Sequence, residues 1–299
     1  MRIVVTGHQG QVVSALKERA ASAGATIVTI GRPELDLADD SDCTEAFASL
    51  RPDVIVSAGA YTAVDKAESE PDLAMRINAG GAGLVARAAA ALDVPIIHLS
   101  TDYVFDGTKA SPWVETDPTG PVSVYGATKL AGELAVRAAT PKSVMLRISW
   151  VYAPFGNNFV RTMLRLAETR DTMRVIADQT GAPTSALDIA DGILKVAQRV
   201  AARSYDPANY GIFHMGAAGQ ASWADFAEAI FSGLAARGGK HVVVERITTA
   251  EYPTPARRPA NSRLDSSAIA HVHGVVLPHW RESLETVLDR LIGPSGSTI

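Results

Sequence analysis

Several things are scarce in this chain, and each scarcity excludes something. One cysteine, Cys43, stands in 299 residues. That excludes an internal disulfide and fits a reducing compartment, with Cys43 read as a small buried apolar residue. Positive charge is not in excess: 28 Lys and Arg face 32 Asp and Glu, a net charge of −4. Such a balance excludes a protein built to coat nucleic acid or an anionic membrane. No apolar run approaches the ~20 residues that cross a bilayer. Met1 leads at once into a strand-like run, without the charged and apolar segments of a leader. Internal repeats and low-complexity tracts are missing too. The expectation is a cytoplasmic protein. His271 and His273 in "AHVHG" have no Cys or carboxylate cluster beside them, so they read as packing or surface residues and no metal is expected.

What is present is apolar and periodic. Hydrophobic residues make up 47% of the chain, enough for one large domain or two unequal lobes. Nearly continuous apolar runs at 2–6, 26–30, 53–58, 94–99 and 143–148 read as strands covered on both faces. Ala-, Leu- and Arg-rich helical segments, such as 82–92 and 127–139, lie between them, and Pro141 stops the second. This rhythm predicts an α/β fold with a doubly wound, Rossmann-like parallel sheet. After Tyr152 the rhythm loosens into Gly- and Pro-containing loops, with helices at 186–202, 223–236 and 280–291. The prediction is a dinucleotide-binding domain at 1–152 and a smaller, partly discontinuous substrate-binding lobe at 153–292. Some segments of that lobe return to the first domain, and 293–299 form a disordered tail. The acidic run "DLADDSD" reads as the lead into a helix from about Thr44.

Chemistry concentrates in three stretches. "VVTGHQGQVV" joins the first strand to the first helix, and Gly7 and Gly10 allow backbone to approach a pyrophosphate at a helix N-terminus. Val13 stands where a third glycine would favour close helix–strand packing. "TIGRPELDL" follows the second strand. Acidic residues there hold a ribose 2′-OH and an arginine accommodates a 2′-phosphate, so Arg32 ahead of Asp36 and Leu37 leans toward NADPH with NADH accepted. In "YGATKLAGE", Tyr125 and Lys129 are one helical turn apart. An ammonium there lowers a phenol pKa, which makes Tyr125 a proton donor or acceptor near neutral pH. "HLSTDYVFDG" runs off the fourth strand and brings the Thr101 hydroxyl to the sheet's carboxyl edge, where it can bond a carbonyl oxygen.

These residues resemble the extended short-chain dehydrogenase/reductase family. "STDYVFDG", "YGATKLAGE", "RISWVYAPFGNNFV", "DQTGAPT" and "RRPANSRLD", with "AYTAVDKAE", resemble its dTDP-4-dehydrorhamnose reductase subgroup. The resemblance runs in order along nearly the whole chain. It implies reduction of the 4-keto group of a nucleotide-linked 6-deoxy sugar by NAD(P)H, with Thr101, Tyr125 and Lys129 as the catalytic residues. Gly7, Gly10 and Gln11 are then expected along the pyrophosphate. Ala58, Ala60, Tyr61 and Asn78 are expected elsewhere on the cofactor. Asp102, Tyr103 and Trp150 are expected at the sugar, and Asn158, Arg257 and Arg258 at the diphosphate.

The sequence departs from the subgroup in places. Ser57 and Gly59 stand in "SAGAYTAV" where an Asn-Ala-Ala run is expected. Some members form a magnesium-bridged dimer through acidic residues. Here Ser14 and Ala15 open the first helix and "TSALDIA" offers only Asp188, so a monomer or a metal-free homodimer is expected. Two alternatives stand beside the reductase. One is another nucleotide-sugar ketoreductase, epimerase or dehydratase, although Tyr103 follows Asp102 where the dehydratases carry an acid. The other is a non-catalytic, NADP-binding regulatory subunit.

Overall fold

The computed structural model describes residues 1–202 and 205–295. Its first half alternates strand and helix: β1 (Arg2–Thr6), α1 (Gln11–Arg19), β2 (Thr26–Ile30), α2 (Thr44–Leu50), β3 (Val54–Ser57), α3 (Val64–Ala67), α4 (Pro71–Met75), α5 (Ala82–Ala91), β4 (Ile96–Thr101), α6 (Val124–Ala139) and β5 (Ser143–Ile148). The second half holds β6 (Val151–Tyr152), α7 (Phe159–Ala167), β7 (Thr172–Ile176), β8 (Thr180–Gly181), β9 (Thr184–Ser185), α8 (Ala186–Val200), β10 (Gly211–His214), β11 (Ala221–Ser222), α9 (Trp223–Ala235), β12 (Val243–Ile247), α10 (Ser267–His273) and α11 (Trp280–Ile292).

Six strands form one parallel sheet in the order β2-β1-β3-β4-β5-β10. Ile3, Val4 and Val5, and likewise Val54, Ile55 and Val56, are all fully buried. Successive side chains point to opposite faces, so both faces are covered, as the unbroken apolar runs predict. The chain goes from β1 to β2 on one side and returns to β3 on the other. That switch point opens a crevice beyond the strand ends.

The structure corrects two strand boundaries. The third strand is shorter than 53–58, and the fourth runs 96–101 rather than 94–99. Pro95 has no N–H to give the ladder, and the later end makes Thr101 the last residue of β4. The sixth strand, β10, comes from the second half. Its four residues carry too short an apolar signal to stand out.

Of the four buried apolar clusters among the described residues, two show how the second half of the chain is divided. Residues of α8, β10 and α10, among them Ile193, Phe213 and Ile269, share a buried cluster with Ile3, Val5 and Leu16. A separate cluster joins α7, β7, α9 and α11 through Met163, Val175, Phe226, Leu284 and Leu288. Helix α2 begins where expected, after Asp42, whose carboxylate accepts from the Thr44 N–H at 3.0 Å. His273 is buried and packs edge-on against Phe213. Of the expected tail, 296–299 lie outside the described residues.

Helix α6 is anchored at its N-terminus and along its length. Ser123 caps it by accepting from Gly126 N–H, and Glu68 accepts from Val124 N–H at 2.9 Å. A Cβ at Gly132 would stand 2.2 Å from the Asn78 carbonyl oxygen, so this position admits no side chain against the π-helical turn Arg76–Gly81. One residue further, Glu133 receives the Arg147 guanidinium of β5 as a fork at 2.8 and 2.7 Å, and the Ser100 hydroxyl of β4 at 2.5 Å. Both charged side chains are about 2% exposed. Removing one partner strands the other charge in the interior. Glu133→Ala is expected to cost about 3–5 kcal/mol, read as a lower midpoint in chemical denaturation. A Glu133→Gln/Arg147→Met double variant is expected to recover much of that loss.

Candidate active site

A cleft of about 770 Å³ runs along the carboxyl edge of the sheet, from Gly7, Gly10 and Arg32 at one end to Trp223 and Phe226 at the other. Thr6, the last residue of β1, ties the switch point together: its Oγ1 accepts from the N–H groups of Ala58 and Gly59 at 2.9 and 2.8 Å. Gly7 and Gly10 have φ of 93° and 133°, which L side chains rarely adopt. Helix α1 begins at this turn with no side-chain cap and no acidic residue in its first turn. Its free N–H groups and positive dipole end are therefore left to an anion. Gln11 Oε1 lines the same wall, buried and without a hydrogen-bond partner among the described residues. An uncapped helix start, left-handed glycines and an orphaned acceptor fit a dinucleotide pyrophosphate.

Val13 is only 3% exposed and shares the buried cluster of Val5, Val56 and Ala190. The valine fills the space between sheet and helices that a glycine would leave. Arg32 is exposed at the mouth, 3.6 Å from Asp36. Leu37 packs into the opening left by Gly59 and Gly81, where a Cβ would meet it at 2.8 and 2.6 Å.

Thr101, Asp102, Tyr103, Tyr125 and Lys129 line the middle of the cleft. Thr101 Oγ1 donates to Asp102 Oδ1 at 3.0 Å and accepts from Tyr103 N–H at 3.2 Å. Tyr103 stands edge-on to Tyr125, with centroids 5.5 Å apart. Lys129 is 3% exposed; its Nζ donates to the Leu99 carbonyl at 2.6 Å and lies 3.4 Å from His98 Nε2. Burial lowers the Lys129 pKa to about 8, against a smaller opposing pull from Glu133. Burial also raises the Tyr125 phenol, with the Thr101 hydroxyl offsetting part of the effect and Asp102 and Tyr103 adding to it. This corrects the expectation of a phenol pKa lowered by Lys129. The ammonium turns toward the Leu99 carbonyl, and desolvation governs the phenol.

The far wall is aromatic. Trp150 holds φ at 48°, a strained conformation for a bulky residue. Its ring stacks on Trp223 at 3.6 Å between centroids, and a Cβ at Gly181 would stand 2.4 Å from it. Arg258 reaches in from the loop after β12, donating to Tyr103 Oη at 3.0 Å and to Asp65 Oδ2 at 2.7 Å.

A model of the "RmlD substrate binding domain" family matches residues 1–292. The chain belongs to the RmlD family. A dTDP-4-dehydrorhamnose reductase of Sinorhizobium fredii is 50% identical over 98% of both chains. One of Escherichia coli K12 is 43% identical, over 97% of this chain and 98% of its own. Among solved structures, the dTDP-4-dehydrorhamnose reductase of Clostridium acetobutylicum superposes with a TM-score of 0.89 at 38% identity, covering 97% and 99% of the two chains. That of Bacillus anthracis, in complex with NADP, gives 0.87 at 35%, covering 96% and 98%.

Four residues expected at the site in this RmlD-family chain lie off the cleft lining. Asn158 caps α7, accepting from Arg161 N–H, and its amide donates to the Ala153 and Phe155 carbonyls, so its hydrogen bonds are taken. Arg257 is exposed and does not line the cleft, while its neighbour Arg258 does. The Tyr61 hydroxyl turns away to Glu70 at 2.8 Å. Asn78, 1% exposed, works from behind: its amide holds the Tyr61 backbone N–H and C=O and the Thr128 hydroxyl. Sequence reasoning missed Trp223 and Phe226, although "SWADF" places them one helical turn apart behind a capping serine. It also missed Asp65, His98 and the Glu133–Arg147 pair, whose partners are far apart in sequence.

Asp102 carries a sharper test. Burial pushes its carboxyl up to about 6, with the Ser262 and Thr101 hydroxyls offsetting only part. The folded state thus favours the protonated acid. That contribution is fully present below the ordinary carboxylate range and is lost as pH rises through about 6. Asp102→Asn is therefore expected to raise the thermal midpoint above wild type at about pH 7.5, by on the order of 2 kcal/mol in stability. The two proteins should converge near pH 4. A difference that does not change with pH would refute this account of the site.

Proposed function

We propose that this chain is an NADPH-preferring, NADH-tolerant reductase that converts dTDP-4-dehydro-6-deoxy-L-mannose to dTDP-L-rhamnose. The observation that carries the reading is Thr101, Tyr125 and Lys129 gathered midway along a cleft that begins at the Gly7–Gly10 turn. Full-length relatives that bear the reductase name support it. NADPH, when bound, supplies the hydride. Gly7, Gly10, Gln11 and the start of α1 hold its pyrophosphate, and Arg32 and Asp36 select at the adenosine ribose. Leu37, Ala58 and Ala60 line its path.

The remaining work falls to this chain's side chains. Thr101 turns its one hydroxyl hydrogen from Asp102 to the sugar ketone oxygen and polarises it. Tyr125, neutral because it is buried, holds a proton for that same oxygen. Lys129 keeps a positive charge one turn from the phenol and steadies the negative charge left when the proton departs. Asp102, Tyr103 and the Trp150–Trp223 wall seat the sugar, and Arg258 takes the diphosphate. Residues 1–152, with the returning α8, β10 and α10, form the cofactor side. The lobe built on α7, β7, α9, β12 and α11 covers the nucleotide sugar. The chain works in the cytoplasm as a monomer or homodimer.

The dehydratase alternative lacks its acid, since Tyr103 follows Asp102. A dTDP-glucose 4,6-dehydratase of Streptomyces venezuelae, at 17% identity and a TM-score of 0.78, shares the fold alone. Purified protein given the dTDP-4-keto sugar and NADPH is expected to consume reduced nicotinamide and yield dTDP-rhamnose; no consumption rejects the substrate. Tyr125→Phe should lower kcat by about 10²–10⁴-fold while NADPH affinity, measured by fluorescence titration, changes little.

A further inference from the structure

Behind Lys129 lies a polar group that the reaction as described does not use. His98, on β4, is 1% exposed. Its Nε2 lies 3.4 Å from Lys129 Nζ, and its Nδ1 lies 3.1 Å from the Ser57 hydroxyl of β3, itself 2% exposed. The chemistry of these partners assigns the proton. An ammonium only donates, so Nε2 must be the accepting nitrogen. Nδ1 then carries the hydrogen, and Ser57 Oγ accepts it. Burial and the adjacent ammonium both keep the ring neutral.

The surroundings leave Lys129 few other supports. Tyr125 stands one turn back on α6. Glu133, one turn on, is committed to Arg147 and Ser100. Asn78, on the π-helical turn, faces Thr128 and Tyr61. From β4 comes the Leu99 carbonyl, and from just past its end the Asp102 carboxyl, which pairs with Thr101. Of the three Nζ hydrogens, one goes to Leu99 and one toward His98, which leaves the third for the cleft.

We propose that His98 is a positioning residue for Lys129: its neutral ring accepts from Nζ, aims the remaining N–H into the cleft, and is itself oriented by Ser57. The inference rests on the catalytic reading of Lys129 given above. It gives Ser57 at the end of β3 a role: its hydroxyl fixes the tautomer that the lysine needs.

Two variants separate orientation from bulk. In His98→Gln the amide oxygen can replace Nε2 and still accept from Nζ. In His98→Asn the shorter amide keeps a partner for Ser57 and loses Lys129. The Lys129 titration is followed in the cofactor-free proteins by ¹³C NMR of the labelled lysine ε-carbon, assigned with Lys129→Arg. Loss of the acceptor leaves the ammonium less stabilised. His98→Asn is therefore expected to lower the Lys129 pKa by about one unit and to move the alkaline limb of the kcat profile the same way, with KM for NADPH little changed. His98→Gln is expected to stay near wild type in both. Superimposable Lys129 titrations for wild type and His98→Asn would overturn the proposal, as would an equal shift in both variants. Inactivity of the wild-type protein itself would reject the reductase reading and leave the NMR result to judge His98.

Discussion

The site depends on one buried fork. Glu133 of α6 grips Arg147 of β5 and takes the hydroxyl of Ser100 from β4. In one contact it fixes the helix that carries Tyr125 and Lys129 to the strand that ends in Thr101. It also fixes the strand that leads to Trp150. A buried pair of this kind adds little net stability compared with apolar side chains of the same size. Its effect here is registry. An apolar contact tolerates sliding, whereas a two-pronged guanidinium–carboxylate bond admits one alignment. The active-site motif therefore contains its own mount: the glutamate of "YGATKLAGE" holds, and the glycine before it lets α6 come close enough to be held.

Much of this was legible in the sequence, for identifiable reasons. Strands of a covered parallel sheet show as nearly continuous apolar runs, and five of the six strands of this sheet do so. The glycine turn, Thr101 and the Tyr125–Lys129 pair are local patterns that need only one element each. What stayed hidden needed two. Asn158 looks like a ligand until its amide is seen bound to the loop that it caps. Tyr61 looks like a cofactor contact until its hydroxyl is found on Glu70. Val13 looked like a damaged fingerprint and is a core residue. In each case the partner is a backbone atom or a distant side chain that no spacing rule reveals.

Protonation was the least legible property. Charge proximity along a helix suggests a lysine that draws down a tyrosine's pKa. In the folded chain burial dominates both groups and drives them in opposite directions, the phenol up and the ammonium down to about 8. The resting site thus holds a firmly protonated acid beside a cation that is close to losing its charge. A proton donor in that state is ready for reduction rather than for oxidation, and the acceptors around Lys129 set how long its charge survives as pH rises.

The Trp150–Trp223 stack has a use beyond lining the cleft. One indole follows β5 of the six-stranded sheet, and the other opens α9 in the cluster of α7, β7, α9 and α11, so these two parts of the fold touch in a pair of near-parallel rings with centroids 3.6 Å apart. Rings that close couple their electronic transitions and quench each other's emission. Any separation of the two rings would uncouple them. The stack is therefore an intrinsic optical gauge of this contact, readable in near-ultraviolet circular dichroism without a label.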